Sequence, residues 1–353
     1  MTAPNGSTDS APELPASAAV VTGAAGWLGQ NLVRALAPSR ERVRCLVRTD
    51  DDASLLSVIG PSIEPIVGDV RDPAAIDMLF DGVGPSTVFH AAGVIHPERS
   101  VRSLFDVNVG GTQLTLDRAR RAGAVRFVHV SSNSPFGAND VPAGRFTEDS
   151  PYNPYMAYGQ SKLEAEQLVM RSYEHGDLQT VIVRPPWFYG PFQPARQTQF
   201  LAAIRRGRFP LVGDGTQQRS MVFVGNLVLG LLLAETADKA PGNAYWIADA
   251  RPYELREIFE TIRAALAAEG LEVTERNPIR IPALVGSMAE AADKFVQGRG
   301  RYVQAVHVLG ELKDTIACDI SRARAELGYE PPTALLDGMR ESIRWCLANG
   351  EQL

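Results

Sequence analysis

The chain has 353 residues, of which 45% are hydrophobic and 22% charged, and this composition excludes a largely disordered or fibrous protein. The formal net charge is -6, so the composition does not indicate a basic surface that would bind a nucleic-acid backbone. The length predicts one large α/β unit with a smaller appended domain. The widely spaced cysteines Cys45, Cys318 and Cys346 predict no disulfide framework and a reducing, cytoplasmic environment.

The first residues and the apolar runs bear on targeting. Residues 1–17 are rich in Pro, Ser and Ala and are predicted to be a disordered leader. No Lys or Arg precedes Arg34, so the positively charged start of a signal peptide is missing. The longest apolar run, residues 227–234, is much shorter than the roughly 20 residues of a membrane-spanning helix. The sequence therefore predicts no integral membrane segment.

Short β-branched runs alternate with amphipathic stretches in the first half of the chain. Strands are predicted at residues 18–22, 43–47, 63–67, 87–90, 125–130 and 180–183, and helices at 27–37, 102–122 and 158–175. Such alternation predicts right-handed crossovers and a doubly wound parallel sheet with helices on both faces.

The pattern changes after Arg184. Prolines interrupt the chain there, and further helices are predicted at residues 255–268 and 337–349. Residues 185–220 and 251–353 are therefore predicted to form mainly a smaller substrate-binding domain, beyond the carboxyl ends of the strands. Residues 18–184 form the predicted nucleotide-binding domain, to which residues 221–250 return.

A glycine-rich turn, residues 22–29 (TGAAGWLG), follows the first predicted strand and opens the first predicted helix. A pyrophosphate needs bare backbone close to it, and a helix N-terminus offers it N–H groups and partial positive charge. The turn therefore predicts a dinucleotide site, with an ordinary strand-to-helix turn as the alternative. The predicted contacts are Gly23, Ala25, Gly26, Trp27 and Leu28.

The end of the second predicted strand bears on the choice of dinucleotide. It carries Arg48 and no acid before Asp50. An acid there commonly binds the ribose 2′-hydroxyl of NAD, whereas a planar guanidinium suits the 2′-phosphate of NADP. Arg48 therefore slightly favours NADP(H), although a solvated strand-end charge is an equal alternative. Asp69, after the third predicted strand, is either an acceptor for the adenine amino group or an exposed loop residue.

Three polar side chains form a candidate catalytic set. Tyr158 and Lys162 are four residues apart on a predicted helix, so they share one face. A free phenol has a pKa of about 10, and a nearby ammonium lowers that pKa towards the working range of a general base. Ser132 ends a buried predicted strand at the carboxyl edge of the sheet, where its hydroxyl either holds a substrate oxygen or caps the next turn.

Together these features resemble the extended short-chain dehydrogenase/reductase family, the NAD-dependent epimerase/dehydratase group. The resemblance covers nearly the whole chain after the leader. Its motifs are the TGxxGxxG turn, Gly68-Asp69-Val70-Arg71-Asp72, Phe89-His90-Ala91-Ala92-Gly93, Asn108-Val109-Gly110-Gly111-Thr112, Ser131-Ser132 with Gly137, Tyr158 with Lys162, Arg184-Pro185 with Tyr189-Gly190-Pro191, Gly213-Asp214-Gly215, and residues 221–226 and 319–329.

The resemblance implies a Rossmann fold and hydride transfer at a secondary alcohol or ketone. The family's catalytic hydroxyl stands five places before a glycine, here Gly137, which implies Ser132 rather than Ser131. Tyr158 is then the acid/base and Lys162 binds the nicotinamide ribose. The further implied cofactor contacts are Asp69, Val70, His90, Ala91, Ala92, Asn108, Ser131, Tyr158 and Pro185. A homodimer through helices 102–122 and 158–175 is also implied.

Departures from the family pattern bear on the reaction. Asn133 and Ser134 follow Ser132, where dehydratases and decarboxylases carry an acid, so both reactions are disfavoured. Trp187 replaces an Asn of nucleotide-sugar enzymes and resembles the 3β-hydroxysteroid dehydrogenase-like branch. Arg219, in contrast, stands where nucleotide-sugar enzymes bind phosphate, with a loop salt bridge as the alternative.

The favoured function is therefore an NAD(P)-dependent oxidoreductase acting on a small-molecule alcohol or ketone. A UDP- or GDP-hexose 4-epimerase with tightly bound NAD and a non-catalytic NAD(P)-binding regulatory protein are the alternatives. The histidines lack metal-ligand spacing, so no metal is predicted. Neither a nucleic acid nor a membrane is an expected partner. The predicted substrate contacts are His96, Ser132, Ser134, Tyr158, Trp187 and Arg219, with an unconstrained loop position as the alternative for His96.

Overall fold

The computed structural model describes residues 16–353 except residues 99, 142, 177 and 276–278. Almost all of the predicted leader, residues 1–17, therefore lies outside the described residues. The strands are β1 (Ala18–Thr22), β2 (Arg42–Val47), β3 (Ile63–Val67), β4 (Ser86–His90), β5 (Arg126–Val130), β6 (Gln179–Arg184), β7 (Trp187–Tyr189), β8 (Pro210–Val212), β9 (Gln218–Arg219), β10 (Met221–Phe223), β11 (Ala244–Trp246), β12 (Tyr253–Glu254) and β13 (Ile279–Ile281). The helices are α1 (Trp27–Leu36), α2 (Asp50–Ser57), α3 (Pro73–Phe80), α4 (Arg102–Phe105), α5 (Thr112–Arg121), α6 (Met156–Glu174), α7 (Ala195–Arg205), α8 (Val224–Thr236), α9 (Leu255–Ala268), α10 (Ala283–Gln297), α11 (Gln304–Glu311), α12 (Ser321–Leu327) and α13 (Leu335–Ala348).

Seven of the described strands form one sheet in the order β11-β6-β5-β4-β1-β2-β3, and every neighbouring pair is parallel. The predicted doubly wound parallel sheet, a Rossmann fold, is therefore confirmed. After β3 the chain returns to the middle of the sheet and continues with β4 beside β1. The connections after β1 and β4 consequently diverge and open a crevice at the carboxyl edge, where this architecture binds ligands.

Both faces of the sheet are covered, which explains why its strands are almost continuously apolar. Along β1, Ala19 and Val21 belong to the apolar cluster that contains α1 and α8. Ala18 and Val20, which point the other way, belong to the cluster that contains α3, α5 and part of α6. Residues 221–250 supply helix α8 and the edge strand β11.

One predicted helix is interrupted. The sequence predicts a single helix over residues 102–122, but the structure has α4, a π-helical segment over Asp106–Gly111 and then α5. The wider π turn contains Asn108, whose side chain bonds to the backbone of Val94 and to Ser161. Gly111 at its end lies so close to Val70 that a Cβ would be 2.7 Å from a Val70 methyl carbon. Such π segments are frequent at functional sites.

The remaining segments form small sheets and packed helix pairs. Among the described residues, β10 pairs with β7, β12 with β9 and β13 with β8. Helix α9 packs on α13, and α10 packs on α11. Tyr189 of β7 and Tyr329 are fully buried in this part of the described chain. In the described part of the chain, no helix combines the length and apolar character needed to cross a membrane.

A buried ion pair joins α6 to β6. Arg184 donates from Nε and Nη2 to the two carboxylate oxygens of Glu166, at 3.0 and 2.7 Å. The Tyr152 hydroxyl donates to Glu166 at 2.9 Å and accepts from Arg184 Nη2 at 2.8 Å. The two charged side chains are only 3% and 0% exposed, so each depends on the other for compensation of its charge.

We expect Glu166→Ala to lower the free energy of unfolding by about 3–5 kcal/mol, because it leaves a guanidinium buried without its carboxylate. Urea denaturation followed by circular dichroism measures this change. Glu257→Ala is the matched control, since the Arg251–Glu257 pair is largely exposed and removing it changes stability by about 1 kcal/mol or less. A loss at Glu166 no larger than that of the control would contradict the argument.

Candidate active site

The glycine turn packs directly on the end of β4. Gly23 has a φ of +69°, and a Cβ on it would be 2.7 Å from the backbone nitrogen of Ala92. Gly26 donates its N–H to the Gly23 carbonyl at 3.0 Å and caps α1 without any side chain. The first N–H groups of α1 are therefore left for a ligand, which suits a pyrophosphate. The Trp27 ring lies away from the turn and donates to the Gly190 carbonyl at 3.2 Å.

The ring of His90, a predicted cofactor contact, is buried behind this turn. Its Nδ1 is 2.8 Å from the Thr22 hydroxyl and its Nε2 is 3.0 Å from the Thr112 hydroxyl. The Thr112 hydroxyl donates to the Asn108 carbonyl, so it accepts from His90 Nε2–H, and Nδ1 accepts from Thr22. Burial lowers the pKa of His90 to about 3 and keeps the ring neutral. His90 therefore joins the ends of β1 and β4 to the start of α5, and both of its ring nitrogens are already hydrogen-bonded.

Asn108 and Ser161 connect the crevice to α6. The Asn108 side chain accepts from the Val94 N–H at 2.8 Å and donates to the Ser161 hydroxyl at 3.0 Å. Ser161 in turn donates to the Tyr158 carbonyl at 2.8 Å. This chain of bonds ties the loop after β4 to the first turns of α6. The predicted contact Asn108 thus acts on the position of Tyr158 through its neighbours.

Arg48 and Asp69 lie at the ends of neighbouring strands. Arg48 is exposed immediately after β2. The Asp69 carboxylate accepts from Arg71 Nε and Nη2, both at 2.8 Å. The hydrogen bond from Arg71 lowers the pKa of Asp69, and the charge of Arg48 acts in the same direction. Two guanidinium groups, of Arg48 and Arg71, therefore act on the Asp69 carboxylate. Because Arg71 already occupies both oxygens of that carboxylate, Asp69 is less available to an adenine amino group than the sequence suggests.

Ser131 and Ser132 follow β5 and are both buried. The Ser131 hydroxyl has no hydrogen-bond partner among the described residues, so it is available to a bound cofactor. The Ser132 hydroxyl is 3.3 Å from the hydroxyl of Ser134, another predicted substrate contact. On the other side it interacts with the phenol of Tyr158, which lies in the first turn of α6. The structure therefore brings Ser132, Ser134 and Tyr158 together.

Lys162 of α6 is buried against the end of β5. Its ammonium donates to the Val130 carbonyl at 2.8 Å and lies 3.4 Å from Nε2 of the buried His129. Burial lowers the pKa of Lys162 to about 8, and Glu166 opposes this shift. Burial also raises the pKa of Tyr158 to about 12, although Ser132 opposes the increase. The net shift of the Tyr158 pKa is therefore upward, because desolvation of the phenol outweighs the groups that favour the phenolate.

The other predicted substrate contacts differ in their exposure to solvent. Trp187 is partly exposed and packs on Phe200 of α7, with ring centroids 5.4 Å apart. His96 is partly exposed, and its Nδ1 is 2.5 Å from the Tyr302 hydroxyl. Arg219, in contrast, is buried and donates to the carbonyl of Glu311. Pro185 follows β6 and is also buried.

Several residues near the site carry no motif. Tyr302 precedes α11, and His307 within α11 bonds through Nδ1 to the buried Asp293 of α10 at 2.7 Å. Gln297 of α10 donates to Asp293 and accepts from the Ala157 N–H at 3.2 Å. The bond from Ala157 attaches the helix pair α10–α11 to α6, one residue before Tyr158. The sequence offers no spacing signal for these contacts, since they join segments about 140 residues apart.

We expect Gly23→Ala to weaken dinucleotide binding about tenfold or more, because the new Cβ separates the turn from Ala92. The strain at positive φ should also lower the free energy of unfolding by about 1–3 kcal/mol. Titration of intrinsic fluorescence with NADH and NADPH measures the affinity, and urea denaturation measures the stability. Gly60→Ala is the control, since nothing lies within 4 Å of its Cβ position. Unchanged affinity in Gly23→Ala would show that the turn does not hold the cofactor.

Comparison with known proteins agrees with this geometry. Residues 19–248 match the model of the NAD dependent epimerase/dehydratase family. The chain is 32% identical to 4-hydroxy-2-methyl-3-oxo-4-farnesyl-3,4-dihydroquinoline-1-oxide ketoreductase of Stigmatella aurantiaca, over 88% of this chain and 90% of that protein. It is 30% identical to 3 beta-hydroxysteroid dehydrogenase/Delta 5→4-isomerase of Mycobacterium tuberculosis, over 95% of this chain and 91% of that protein.

The fold has close structural neighbours. The crystal structure of DesIV, a dTDP-glucose 4,6-dehydratase from Streptomyces venezuelae, superposes with a TM-score of 0.74 and 24% identity, covering 94% of this chain and 97% of that chain. At that identity the likeness establishes the fold alone. The family match and the two relatives establish more: this chain belongs to the NAD-dependent epimerase/dehydratase family and is an enzyme of the extended short-chain dehydrogenase/reductase type.

Proposed function

We propose that this protein is an NAD(P)-dependent oxidoreductase that interconverts a ketone and a secondary alcohol. The observation that carries the proposal is the meeting of the Ser132 hydroxyl and the Tyr158 phenol beside the crevice between β1 and β4. The names of the two relatives, a ketoreductase and a hydroxysteroid dehydrogenase, support the same reaction class.

The residues at the crevice fit a dinucleotide. Gly23 has no Cβ, so the backbone of the turn can lie close to a phosphate. No side chain caps α1, so the N–H groups of its first turn can bind that phosphate. The Ser131 hydroxyl is buried without a partner among the described residues. Lys162 is proposed to hold the nicotinamide ribose, in exchange for its bond to the Val130 carbonyl. The nicotinamide, when bound, supplies or accepts the hydride.

The proton moves through Tyr158. Ser132 holds the substrate oxygen by a hydrogen bond, and the phenol then donates its proton to that oxygen as a ketone is reduced. With a pKa raised to about 12, the phenol is protonated at neutral pH, which is the form that ketone reduction requires. In alcohol oxidation the same atoms act in reverse. Ser134 orients the Ser132 hydroxyl, since its own hydroxyl is 3.3 Å away.

Three features favour net oxidation or reduction over epimerisation or dehydration of a nucleotide sugar. The guanidinium of Arg219 is buried and engaged with the Glu311 carbonyl, so it does not present a phosphate site at the surface of the crevice. Trp187 offers an apolar face in place of an amide. Asn133 and Ser134 provide no acid after Ser132 that would assist elimination.

We also propose that NADP(H) is the preferred cofactor, because the exposed Arg48 follows β2 and Arg71 follows the neighbouring strand β3, so two guanidinium groups are near the strand end that commonly binds the adenine ribose. We expect Arg48→Gln to raise the KM for NADPH by about 10- to 100-fold, the value of one or two charge-assisted hydrogen bonds, and to change the KM for NADH by about twofold at most. Steady-state kinetics with both cofactors measures this. Arg121→Gln, at another exposed position, is the control. A wild-type enzyme that prefers NADH would contradict the assignment.

The role of Tyr158 is tested by Tyr158→Phe. We expect kcat for ketone reduction to fall about 10²- to 10⁴-fold while the NADPH affinity stays within about threefold, because the phenol moves the proton but does not hold the phosphates. Stopped-flow nicotinamide absorbance and fluorescence titration give the two quantities. Tyr173→Phe, at an exposed position of the same helix, is the matched control.

A different outcome would support the epimerase alternative. An epimerase returns its hydride to the substrate, so the nicotinamide absorbance would show no net change with any ketone or alcohol. Such an enzyme would also retain NAD through extensive dialysis. Both results together would overturn the proposed oxidoreductase function.

A further inference from the structure

We propose that the outer face of α10 binds the surface of an anionic lipid bilayer. This inference concerns an interaction surface and goes beyond the proposed oxidoreductase function. The sequence predicts no membrane partner, because no apolar run is long enough to span a bilayer. A helix that lies on the bilayer surface needs no such run, and only the folded structure shows which side of α10 is exposed.

The outer face of α10 is apolar. Leu284, Met288 and Phe295 are 71%, 65% and 62% exposed. Spacings of four and seven residues place these three side chains on one face of the helix. The smaller side chains of Ala291 and Ala292 lie on the same face and are also exposed. A row of large apolar side chains in water is unfavourable, so this face indicates a partner that removes it from water.

The opposite side of α10 is polar and buried. The Asp293 carboxylate is 0% exposed, accepts from Gln297 and lies 2.7 Å from Nδ1 of His307 on α11. Gln297 also accepts from the N–H of Ala157 at 3.2 Å, which attaches this side to α6. The helix is therefore reversed relative to an ordinary surface helix, whose apolar side packs on the protein. Because Tyr158 belongs to α6, a substrate bound there does not cover the apolar face.

The charges around the outer face identify the kind of partner. Every exposed charged residue of residues 279–310 is basic, namely Arg280, Lys294, Arg299 and Arg301. The acids of this segment are engaged elsewhere, since Asp293 is buried and Glu290 pairs with Lys313 at 3.0 Å. The Cζ atom of Arg299 lies 3.5 Å from the centroid of the Phe295 ring, so a cation borders the apolar row. The whole chain has a formal net charge of -6, so this basic character is local.

A basic rim around an apolar face matches an anionic bilayer. The apolar side chains enter the boundary between head groups and acyl chains, and the guanidinium groups reach the lipid phosphates. A second copy of this chain fits less well, because a two-fold contact through the same face brings the basic rims of both copies together. The bilayer is therefore the occupant that satisfies both the apolar row and the charges beside it.

Sedimentation of the full-length protein with sucrose-loaded vesicles tests this inference. The vesicles contain phosphatidylcholine alone or phosphatidylcholine mixed with phosphatidylglycerol. We expect the mixed vesicles to bind the wild-type protein about tenfold or more tightly than the neutral vesicles at low salt. The double variant Met288→Ser/Phe295→Ser should weaken binding to the mixed vesicles about tenfold or more. Val58→Ser/Met78→Ser is the matched control, since these side chains are also exposed, after α2 and in α3.

A second variant tests the basic rim separately. We expect Arg299→Gln/Arg301→Gln to weaken binding to the mixed vesicles about tenfold, because two charges near the anionic surface are lost, and to leave binding to the neutral vesicles nearly unchanged. Circular dichroism and urea denaturation establish that each variant is folded.

Three results would overturn the inference: wild-type protein that remains in the supernatant with mixed vesicles, equal affinity for both kinds of vesicle, or unchanged binding of Met288→Ser/Phe295→Ser. A wild-type dimer that this variant dissociates in sedimentation velocity would assign the face to a second copy and would also overturn it. NADPH-dependent reduction of 2-nonanone in solution, measured on the same preparations, reports separately on the proposed function. Loss of reduction with vesicle binding preserved would count against the oxidoreductase function alone.

Discussion

The contact between the glycine turn and the end of β4 is the constraint on which the rest of the site depends. Gly23 adopts positive φ and has no Cβ, so its backbone lies directly against Ala91 and Ala92. Thr22 accepts from the Ala92 N–H and bonds to the neutral His90, which fixes the separation of the two strand ends. Strand β5 pairs in register with β4. Ser131 and Ser132, which follow β5, are therefore placed relative to the crevice by the same backbone contact.

Much of the fold can be predicted from the sequence, because a parallel sheet covered on both faces leaves a strong pattern. The strands from β1 to β6 are short apolar runs that alternate with helices, and their predicted positions agree with the structure to within one or two residues. The π-helical segment over Asp106–Gly111 is not predictable in this way. It depends on tertiary contacts of Asn108 with Val94 and Ser161, which a helical periodicity does not record.

The residues of the candidate site also differ in whether local sequence or tertiary packing determines them. Residues carried by local motifs, such as Gly23, Ser132 and Tyr158, are brought to one edge of the sheet by the topology. Tyr302 and Gln297 have no motif, because their contacts arise only when segments distant in sequence pack together. The environment of Lys162 is also a property of the folded state: four-residue spacing places it on the face of Tyr158, but the nearest acceptor is the Val130 carbonyl of the neighbouring strand. Spacing predicts which side chains share a face, and packing decides which atoms they bind.

Burial acts on Lys162 and Tyr158 in opposite directions, and this bears on how the proton is moved. It lowers the pKa of the Lys162 ammonium to about 8 and raises the pKa of the Tyr158 phenol to about 12. Both shifts favour the uncharged forms, because a charge at these positions is poorly solvated. The phenol therefore keeps its proton until a substrate oxygen accepts it, and the hydroxyl of Ser132, which opposes the increase in the phenol's pKa, is a neighbour that stabilises the charge left behind.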